Sequence, residues 1–332
     1  MKRFTRRALG ALTLAAFAAM PALAQEDWPK SGDRITFTVP FNTGGSADRL
    51  ARGLANFMQM ELDGVAVTVQ NRPGGAGAMG VAFFSQLPAD GSNFLVMQAT
   101  PFLANVILQT DVPVEWEDFS VINTQWTDFP IVAVPTDGRI TDIHDLISKA
   151  KEGKGAVTAA TMTSGGSYLQ QLLMFDMLGI PRENIRMVTY DGGAPLRTAV
   201  AGGQVDFTFV AANGSESIRD RIRSIAVVTA DDVPQWDGPK INEALAQYDV
   251  DMPLFSEYTT SVIANAKFEE QHPERYARFV EILKATLERE DYQAWLKENG
   301  IGGRWMGPEK SQELTTAGFN GLKDYADLPD KK

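Results

Sequence analysis

The residues Thr43-Gly44-Gly45-Ser46 stand between a strand-like run, Ile35 to Val39, and a helix-like run. The same Gly-Gly-Ser letters return in Ser164-Gly165-Gly166-Ser167, again after a strand-like run, Ala156 to Thr161, and before a helix-like one. Serine is a favoured helix cap, and paired glycines let the backbone turn its free N–H groups outward. A helix N-terminus of this kind attracts anions. The repeated loop therefore predicts an α/β protein that binds one anion from two sides.

The rest of the chain alternates strand-like and helix-like segments in the manner of parallel βαβ units. One block runs from Ile35 to Gln98 and a second from Ile131 to Thr229. Two amphipathic helices with 3.6-residue spacing, Pro273 to Glu288 and Tyr292 to Lys297, are predicted after the second block, with no strand between them. The pattern predicts a bilobed fold of two α/β domains with a central cleft.

We expect the C-terminal segment to return to the first domain, as is usual in such folds. The predicted crossings lie near Val121 to Thr127 and near Ser224 to Thr229. The first domain is then residues 25–124 with residues 228–332, and the second is residues 125–227.

Residues 1–24 have the pattern of a signal peptide. Four basic residues precede an apolar segment, Ala8 to Met20, and Ala22-Leu23-Ala24 is a cleavage motif. The apolar segment is too short to span a bilayer. We therefore predict an exported, periplasmic protein that is cleaved after Ala24. Thr5-Arg6-Arg7-Ala8-Leu9 partly matches a twin-arginine signal, so the Sec and twin-arginine routes both stay open.

The composition excludes several classes of function. The chain has no cysteine, which rules out disulfides, thiolate metal sites, a cysteine nucleophile and a lipid-anchored N-terminal cysteine. Its net charge of −11 disfavours nucleic acid and anionic membrane surfaces as partners. We find no Gly-x-Ser-x-Gly elbow, no metal-spaced His/Asp set and no P-loop lysine. The sequence thus predicts no catalytic residues, no metal and no cofactor.

Gly75 to Gly80 matches the dinucleotide fingerprint G-x-G-x-x-G, and it lies between a strand-like and a helix-like run. Pro73-Gly74 intrudes before the glycines, however, and Gln98-Ala99-Thr100 stands where a ribose-binding acid is expected. A crossover turn at the rim of the cleft is the favoured interpretation. An exported α/β enzyme or dinucleotide-binding protein that uses this turn remains the alternative.

Other positions carry weaker signals. Tyr190 to Pro195 is a third glycine loop before a helix, and ordinary turn chemistry or a cleft-facing role both suit it. Asp206 could order a loop or touch the ligand, and Trp126 is a candidate for the cleft wall. Neither Gly-Gly-Ser loop contains an arginine. We therefore expect backbone dipoles, hydroxyls and water to hold the anion, with Arg49 serving as a local partner of Asp48.

Val39-Pro40-Phe41-Asn42-Thr43-Gly44-Gly45-Ser46-Ala47-Asp48 resembles the "VPFPPGGSTD" signature of the tripartite tricarboxylate transporter receptors, the Bug family of periplasmic binding proteins. Further segments resemble the family's "NRPGAGG", "PDGYT" and "YKGAAPA…GGQVD" motifs, in family order: Asn71 to Gly77, Ala89 to Gly91, Tyr190 to Pro195, and Gly202 to Asp206. The resemblance implies a Venus-flytrap protein that closes on a small carboxylate and delivers it to the membrane permease subunits of such a transporter.

The family's carboxylate-gripping loops, carried over onto this sequence, give the predicted ligand-binding residues. They are Phe41, Asn42, Gly45, Ser46 and Ala47 in the first loop, Thr163, Ser164, Gly165, Gly166 and Ser167 in the second, and Thr100, Tyr190 and Asp206 as additional candidates. Asn42-Thr43 departs from the family's two prolines, and residues 257–268 lack its "APAGTP". The ligand could therefore be a mono-, di- or tricarboxylate, aliphatic or aromatic. We expect a monomer, and a role in presenting ligand to a sensor instead of a permease also stays open.

Overall fold

The computed structural model describes residues 28–162, 166–254 and 258–328, so the predicted signal peptide lies outside the described residues. Two five-stranded sheets organise the described chain. The first sheet consists, in spatial order, of β2 (Ala66–Asn71), β1 (Arg34–Val39), β3 (Asn93–Gln98), β10 (Tyr258–Asn265) and β4 (Phe119–Asp128). The second consists of β7 (Ile185–Thr189), β6 (Val157–Thr161), β8 (Phe207–Ala211), β5 (Pro130–Pro135) and β9 (Ile222–Val227).

Helices cover both sheets. In chain order they are α1 (Ser46–Glu61), α2 (Ala78–Ser85), α3 (Ala104–Gln109), α4 (Ile143–Ala150), α5 (Gly166–Met177), α6 (Gly193–Ala201), α7 (Ile241–Leu245), α8 (Ala266–Gln271), α9 (Pro273–Glu288), α10 (Glu290–Glu298) and α11 (Pro308–Lys323). Within the described ranges, no helix combines the length and apolar character that crossing a bilayer requires. The predicted α/β fold with two sheets is confirmed, and the exact domain boundaries stay a prediction.

Both sheets are mixed. β1 runs parallel to β2 and β3, and β6 runs parallel to β7 and β8, as βαβ units require. β10 is antiparallel to both of its neighbours, β3 and β4, and β5 is antiparallel to β8 and β9. The chain therefore passes from the first sheet to the second between β4 and β5, and β10 brings it back.

The sequence did not predict β10. Its first half contains Thr259, Thr260 and Ser261, which hide the apolar pattern of a strand. These side chains are nevertheless buried, because their hydroxyls find partners on neighbouring segments. Thr259 Oγ1 lies 2.8 Å from Thr100 Oγ1, and Ser261 Oγ lies 2.8 Å from Thr124 Oγ1. Buried polar groups that are hydrogen-bonded in this way are tolerated in a core.

The C-terminal helices pack on the first sheet and its helices. α9 packs against α1, and its Phe279 stacks on Phe94 of β3 with ring centroids 3.7 Å apart. α11 packs on β4, where Trp116 and Phe319 stack at 4.7 Å. The second sheet has a separate aromatic contact, Phe175 of α5 against Phe207 of β8.

Gly80 is the last glycine of the segment that matches the dinucleotide fingerprint. Close packing explains why a glycine stands at this position. A Cβ at this position would lie 2.5 Å from Pro40 Cβ and 2.8 Å from the Arg72 carbonyl oxygen. We expect Gly80→Ala to lower the free energy of unfolding by about 1–3 kcal/mol, measured by urea denaturation. Gly45→Ala is the matched control, because φ is −70° there and the nearest atom is at 3.5 Å. Equal stabilities of the two variants would contradict the packing role.

Candidate ligand-binding cleft

One cavity opens where the ends of β1, β3, β6 and β8 meet. The space free of protein atoms is about 490 Å³, including the part of the mouth that is open to solvent. Its lining comes from both sheets: Phe41, Gly45, Ser46, Ala47, Gln98, Phe102 and Tyr258 from the first, and Met162, Gly193, Leu196, Arg197, Phe209, Val210 and Ala211 from the second. The carboxyl ends of strands are the usual place for ligands in open α/β sheets.

The first Gly-Gly-Ser loop presents the start of α1 to this cavity. The prediction that Ser46 caps the helix is wrong, because Ser46 is the first helical residue and Gly45 precedes it as the cap. The first i→i−4 hydrogen bond runs from Arg49 N to the Gly45 carbonyl oxygen at 3.0 Å. The N–H groups of Ser46 and Ala47 precede that bond, so they are available to an anion in the cavity.

Gln98 fixes the Ser46 side chain. Its Nε2 donates to Ser46 Oγ at 3.1 Å. An oxygen that accepts this bond still has its own proton to donate, so the Ser46 hydroxyl can serve a ligand. Gln98 is 5% exposed, and its Oε1 has no hydrogen-bond partner among the described residues. The sequence analysis did not single out Gln98 as a site residue.

Asp48 shapes the loop without entering the cavity lining. Its carboxylate accepts hydrogen bonds from Gly44 N at 2.8 Å and Asn71 Nδ2 at 2.9 Å, and it pairs with Arg52 at 2.9 Å. Burial opposes ionisation, but these hydrogen bonds outweigh it and hold the pKa of Asp48 below its usual value. The expected Arg49–Asp48 partnership is wrong, since Arg49 Nη1 donates to the Asn299 carbonyl oxygen at 3.3 Å.

Arg197 is a charged lining residue that the sequence analysis did not single out. It lies on α6, is 8% exposed, and is the one charged residue among the described residues that line the cavity. Its Nε donates to Ser215 Oγ at 2.9 Å. Gly193 and Gly214 leave room for the guanidinium, because a Cβ on either would lie about 2.5 Å from a terminal nitrogen. Burial lowers the pKa of Arg197 to about 10, so the group stays positively charged at neutral pH.

Asp128 lies near Arg197, at the end of β4 where the chain crosses to the second sheet. Its carboxylate accepts hydrogen bonds from the backbone N–H groups of Phe129 at 2.9 Å, Asn213 at 2.9 Å and Gly214 at 2.8 Å. Burial raises the pKa of Asp128 to about 6, although these bonds and the Arg197 charge oppose the rise. The crossing between the sheets thus carries a carboxyl group that titrates near neutral pH.

The raised pKa of Asp128 predicts a pH dependence of stability. The native carboxyl keeps its proton up to about pH 6, whereas the unfolded one loses it near 3.9. Its contribution of about 3 kcal/mol to the free energy of unfolding is complete below pH 4 and is lost as the pH rises through 6. Urea titrations of wild type and Asp128→Asn should show the wild-type advantage shrinking across that window. Parallel profiles would contradict the raised pKa.

The structure brings four of the predicted residues together in the cavity lining: Phe41, Gly45, Ser46 and Ala47. Asn42 lies beside them and spans the cleft, since its Nδ2 donates to the Asp191 carbonyl oxygen at 3.3 Å. In the second loop, Thr163, Ser164 and Gly165 lie outside the described residues, and only the place of Gly166 and Ser167 at the start of α5 is described. Met162, directly before that loop, lines the cavity.

Thr100, Tyr190 and Asp206 are not among the lining residues. Thr100 is buried against Thr259, and Tyr190 follows β7, where its N–H bonds the Thr161 carbonyl oxygen at 2.9 Å. Asp206 precedes β8, at the opposite end of the strand from the cavity. Its carboxylate accepts from Arg139 Nε at 2.7 Å and from Thr158 N at 2.7 Å. Asp206 therefore orders a loop, the first of the two roles that the sequence left open.

Two further expectations concern the surroundings of the cavity. Trp126 is buried beside Gly302 and lies outside the lining residues, so the structure does not place it in the cleft wall. Among the residues that the structure describes, no cluster of three or more His, Asp or Glu side chains could hold a metal ion. The chemistry of the lining is that of a binding site for an anion with an apolar body.

Comparison with known proteins finds relatives of similar sequence. A UPF0065 protein of Pseudomonas sp. strain P51 is 30% identical over 63% of this chain and 62% of its own length. Protein BugT of Bordetella pertussis is 28% identical over 59% of this chain and 61% of its own length. The chain thus spans about 60% of the length of these curated relatives. No family model matches it.

Two solved structures share the fold. Rpa4515 of R. palustris, solved with adipate, has a TM-score of 0.74 at 24% identity and covers 92% of this chain and 99% of its own. The periplasmic binding protein BugD has a TM-score of 0.72 at 22% identity, and the match covers 90% of this chain and 97% of BugD.

Two sheets with a cavity between their strand ends are the architecture of the bilobed periplasmic-binding-protein fold. The sequence relatives give a narrower likeness. This chain is similar to BugT and to the UPF0065 protein of Pseudomonas sp. strain P51 over about 60% of its length.

Proposed function

We propose that the protein is a periplasmic solute-binding protein. It captures a small carboxylate by cleft closure and delivers it to a membrane transporter of the tripartite tricarboxylate type. One observation carries the proposal: the start of α1 and the guanidinium of Arg197 line one cavity from opposite sheets. A carboxylate between them would accept hydrogen bonds from backbone N–H groups on one side and from a cation on the other. The adipate bound by Rpa4515 supports a carboxylate ligand.

The energies of such a site are sufficient. A hydrogen bond to a charged group contributes about 1.5–3 kcal/mol, and a partly buried helix N-terminus stabilises an anion by up to about 2 kcal/mol. Micromolar affinity requires a net of about 8 kcal/mol after the cost of association. Bonds from Arg197, Ser46 and Ala47 together reach this range when the apolar lining also covers the ligand. The overall negative charge does not prevent entry, because salt screens it within about 8 Å.

Cleft closure follows from the division of the site between two domains. We propose that residues 25–124 with 228–332 form one domain and residues 125–227 the other, a division supported by the membership of the two sheets. A ligand that contacts both domains favours the closed state, because the open state offers only half of its contacts. The hydrogen bond from Asn42 to the Asp191 carbonyl oxygen adds a direct contact across the cleft.

The proposal includes export of the protein to the periplasm. The N-terminal pattern supports a signal peptide cleaved after Ala24, and the periplasmic binding protein BugD supports the compartment. We further propose that the protein acts as a monomer on the permease subunits. A binding protein needs no catalytic group, and the polar lining residues Ser46, Gln98 and Arg197 offer the means of holding an anion.

A thermal-shift screen tests the function. The purified protein is heated with a panel of mono-, di- and tricarboxylates, with uncharged amides of the same acids, and with NAD and ATP. We expect stabilisation by carboxylates and none by their amides or by the nucleotides. Stabilisation by nucleotides alone would favour the dinucleotide alternative, and stabilisation by amides as large as by acids would contradict an anion site.

A further inference from the structure

The apolar part of the cavity specifies the ligand further. Nine of its lining residues contribute apolar or aromatic side chains: Phe41, Ala47, Phe102, Met162, Leu196, Phe209, Val210, Ala211 and Tyr258. The polar groups are the side chains of Ser46, Gln98 and Arg197 and the hydroxyl of Tyr258. The lining thus offers one cation for an anionic group and a larger number of side chains suited to a body without charge.

Three of the aromatic residues form a continuous wall. The rings of Phe41 and Phe102 meet edge to face with centroids 5.3 Å apart, and the ring of Phe102 lies 5.8 Å from that of Tyr258. The three residues come from different segments: the loop after β1, the turn after β3, and the first position of β10. Phe41 and Phe102 are buried and packed against each other, so they present a fixed surface for a flat apolar group.

A second carboxylate would find no second cation among the described residues that line the cavity. Arg197 is the one charged group among the described lining residues, and a carboxylate buried without a partner costs several kcal/mol. Arg49 lies close enough to lower the pKa of Arg197, but it donates to the Asn299 carbonyl oxygen and is not a lining residue. Among the described lining residues, the second charged end of a dicarboxylate would meet apolar side chains such as Phe41, Phe102 or Met162.

We infer that the ligand is a monocarboxylate with an aromatic body, an aryl or arylalkyl acid, whose ring lies against the wall formed by Phe41, Phe102 and Tyr258. This inference rests on the proposed function and narrows it. The carboxylate meets Arg197 and the start of α1, and the ring contacts the wall. The class differs from the adipate seen in Rpa4515, which carries a charge at each end.

Titration calorimetry on the full purified protein tests the inference with defined probes. Benzoate and 3-phenylpropionate represent aromatic monocarboxylates, hexanoate an aliphatic one, and adipate, malate and citrate the acids with more than one charge. We expect the better aromatic acid to bind at least tenfold more tightly than adipate, malate or citrate, and more tightly than hexanoate.

Phe102→Leu separates the wall from the anion site. The change keeps an apolar side chain but removes the ring, so affinity for the aromatic acids should fall about twofold to tenfold while that for hexanoate stays unchanged. Phe83→Leu is the matched control. Phe83 belongs to α2, its ring packs against the guanidinium of Arg72, and it is not among the cavity-lining residues. Unfolding temperatures of both variants show whether the fold is intact.

The possible outcomes distinguish a failure of the aromatic-monocarboxylate inference from a failure of the proposed carboxylate-binding function. If adipate, malate or citrate binds most tightly, the aromatic monocarboxylate class is overturned while carboxylate binding stands. Equal losses for hexanoate and benzoate in Phe102→Leu would also overturn the role of the wall. If no carboxylate of the panel binds, both the inference and the proposed function fail.

Discussion

Replacing Arg197 with methionine should weaken carboxylate binding by about 100-fold or more. The guanidinium is the one cation of the described cavity lining, and truncating one partner of a buried charged pair costs about 2–5 kcal/mol of binding free energy. Methionine fills a similar volume on α6, so the loss would come from charge and hydrogen bonds. Titration calorimetry with the tightest-binding acid of the screen measures the effect.

Two further variants show whether a loss of affinity in Arg197→Met comes from the Arg197 guanidinium itself. Arg186→Met removes an arginine from an exposed position on β7 of the same sheet, and we expect it to bind as the wild type does. Arg197→Lys keeps a positive charge but lacks the planar fork, so its affinity should lie between those of wild type and Arg197→Met. An Arg197→Met protein that keeps the wild-type unfolding temperature and wild-type affinity would remove Arg197 from the site.

Ser46→Glu should have an effect of comparable size. The new carboxylate stands at the first position of α1, directed to the place where we put the ligand's anion. Like charges brought together in a binding site cost several kcal/mol, so affinity for carboxylates should fall by at least about 100-fold. The fold itself should not suffer, because an acidic residue in the first turn of a helix stabilises it by about 0.3–1 kcal/mol.

Ala266→Glu is the matched control for this charge. Ala266 is also the first residue of a helix, α8, but it lies outside the cavity lining. We expect unchanged affinity for this variant and equal unfolding temperatures for both proteins. A Ser46→Glu protein that binds the same acid with unchanged affinity would show that the anion does not lie at the start of α1.

Much of the fold was predictable because its elements follow simple periodicities. The predicted bounds of α9 agree with the structure, and the strand-like runs before the two Gly-Gly-Ser loops match β1 and β6 to within one residue. β10 was missed because its buried hydroxyls, such as that of Ser261, obtain partners only from strands distant in sequence. A pattern that depends on tertiary hydrogen bonds cannot be seen in the local sequence.

The site was predictable in part, for a related reason. The loop at Gly45 and Ser46 could be predicted from its composition, since glycines and serine before a helix are typical of anion sites. Arg197 lies in the middle of a helical segment, and its role depends on the space left by Gly193 and Gly214. One signal was present: Arg197 stands between Leu196 and Ala199 on a buried helix face, where a charge requires a partner.

A crystal structure of the protein with benzoate, or with whichever acid of the screen stabilises it most, tests the central claim most directly. We predict one carboxylate in the cavity, with oxygens about 2.7–3.2 Å from the Arg197 guanidinium and from the N–H of Ser46 or Ala47. A carboxylate bound elsewhere on the protein, or in the cavity without contact to Arg197 and the start of α1, would contradict it.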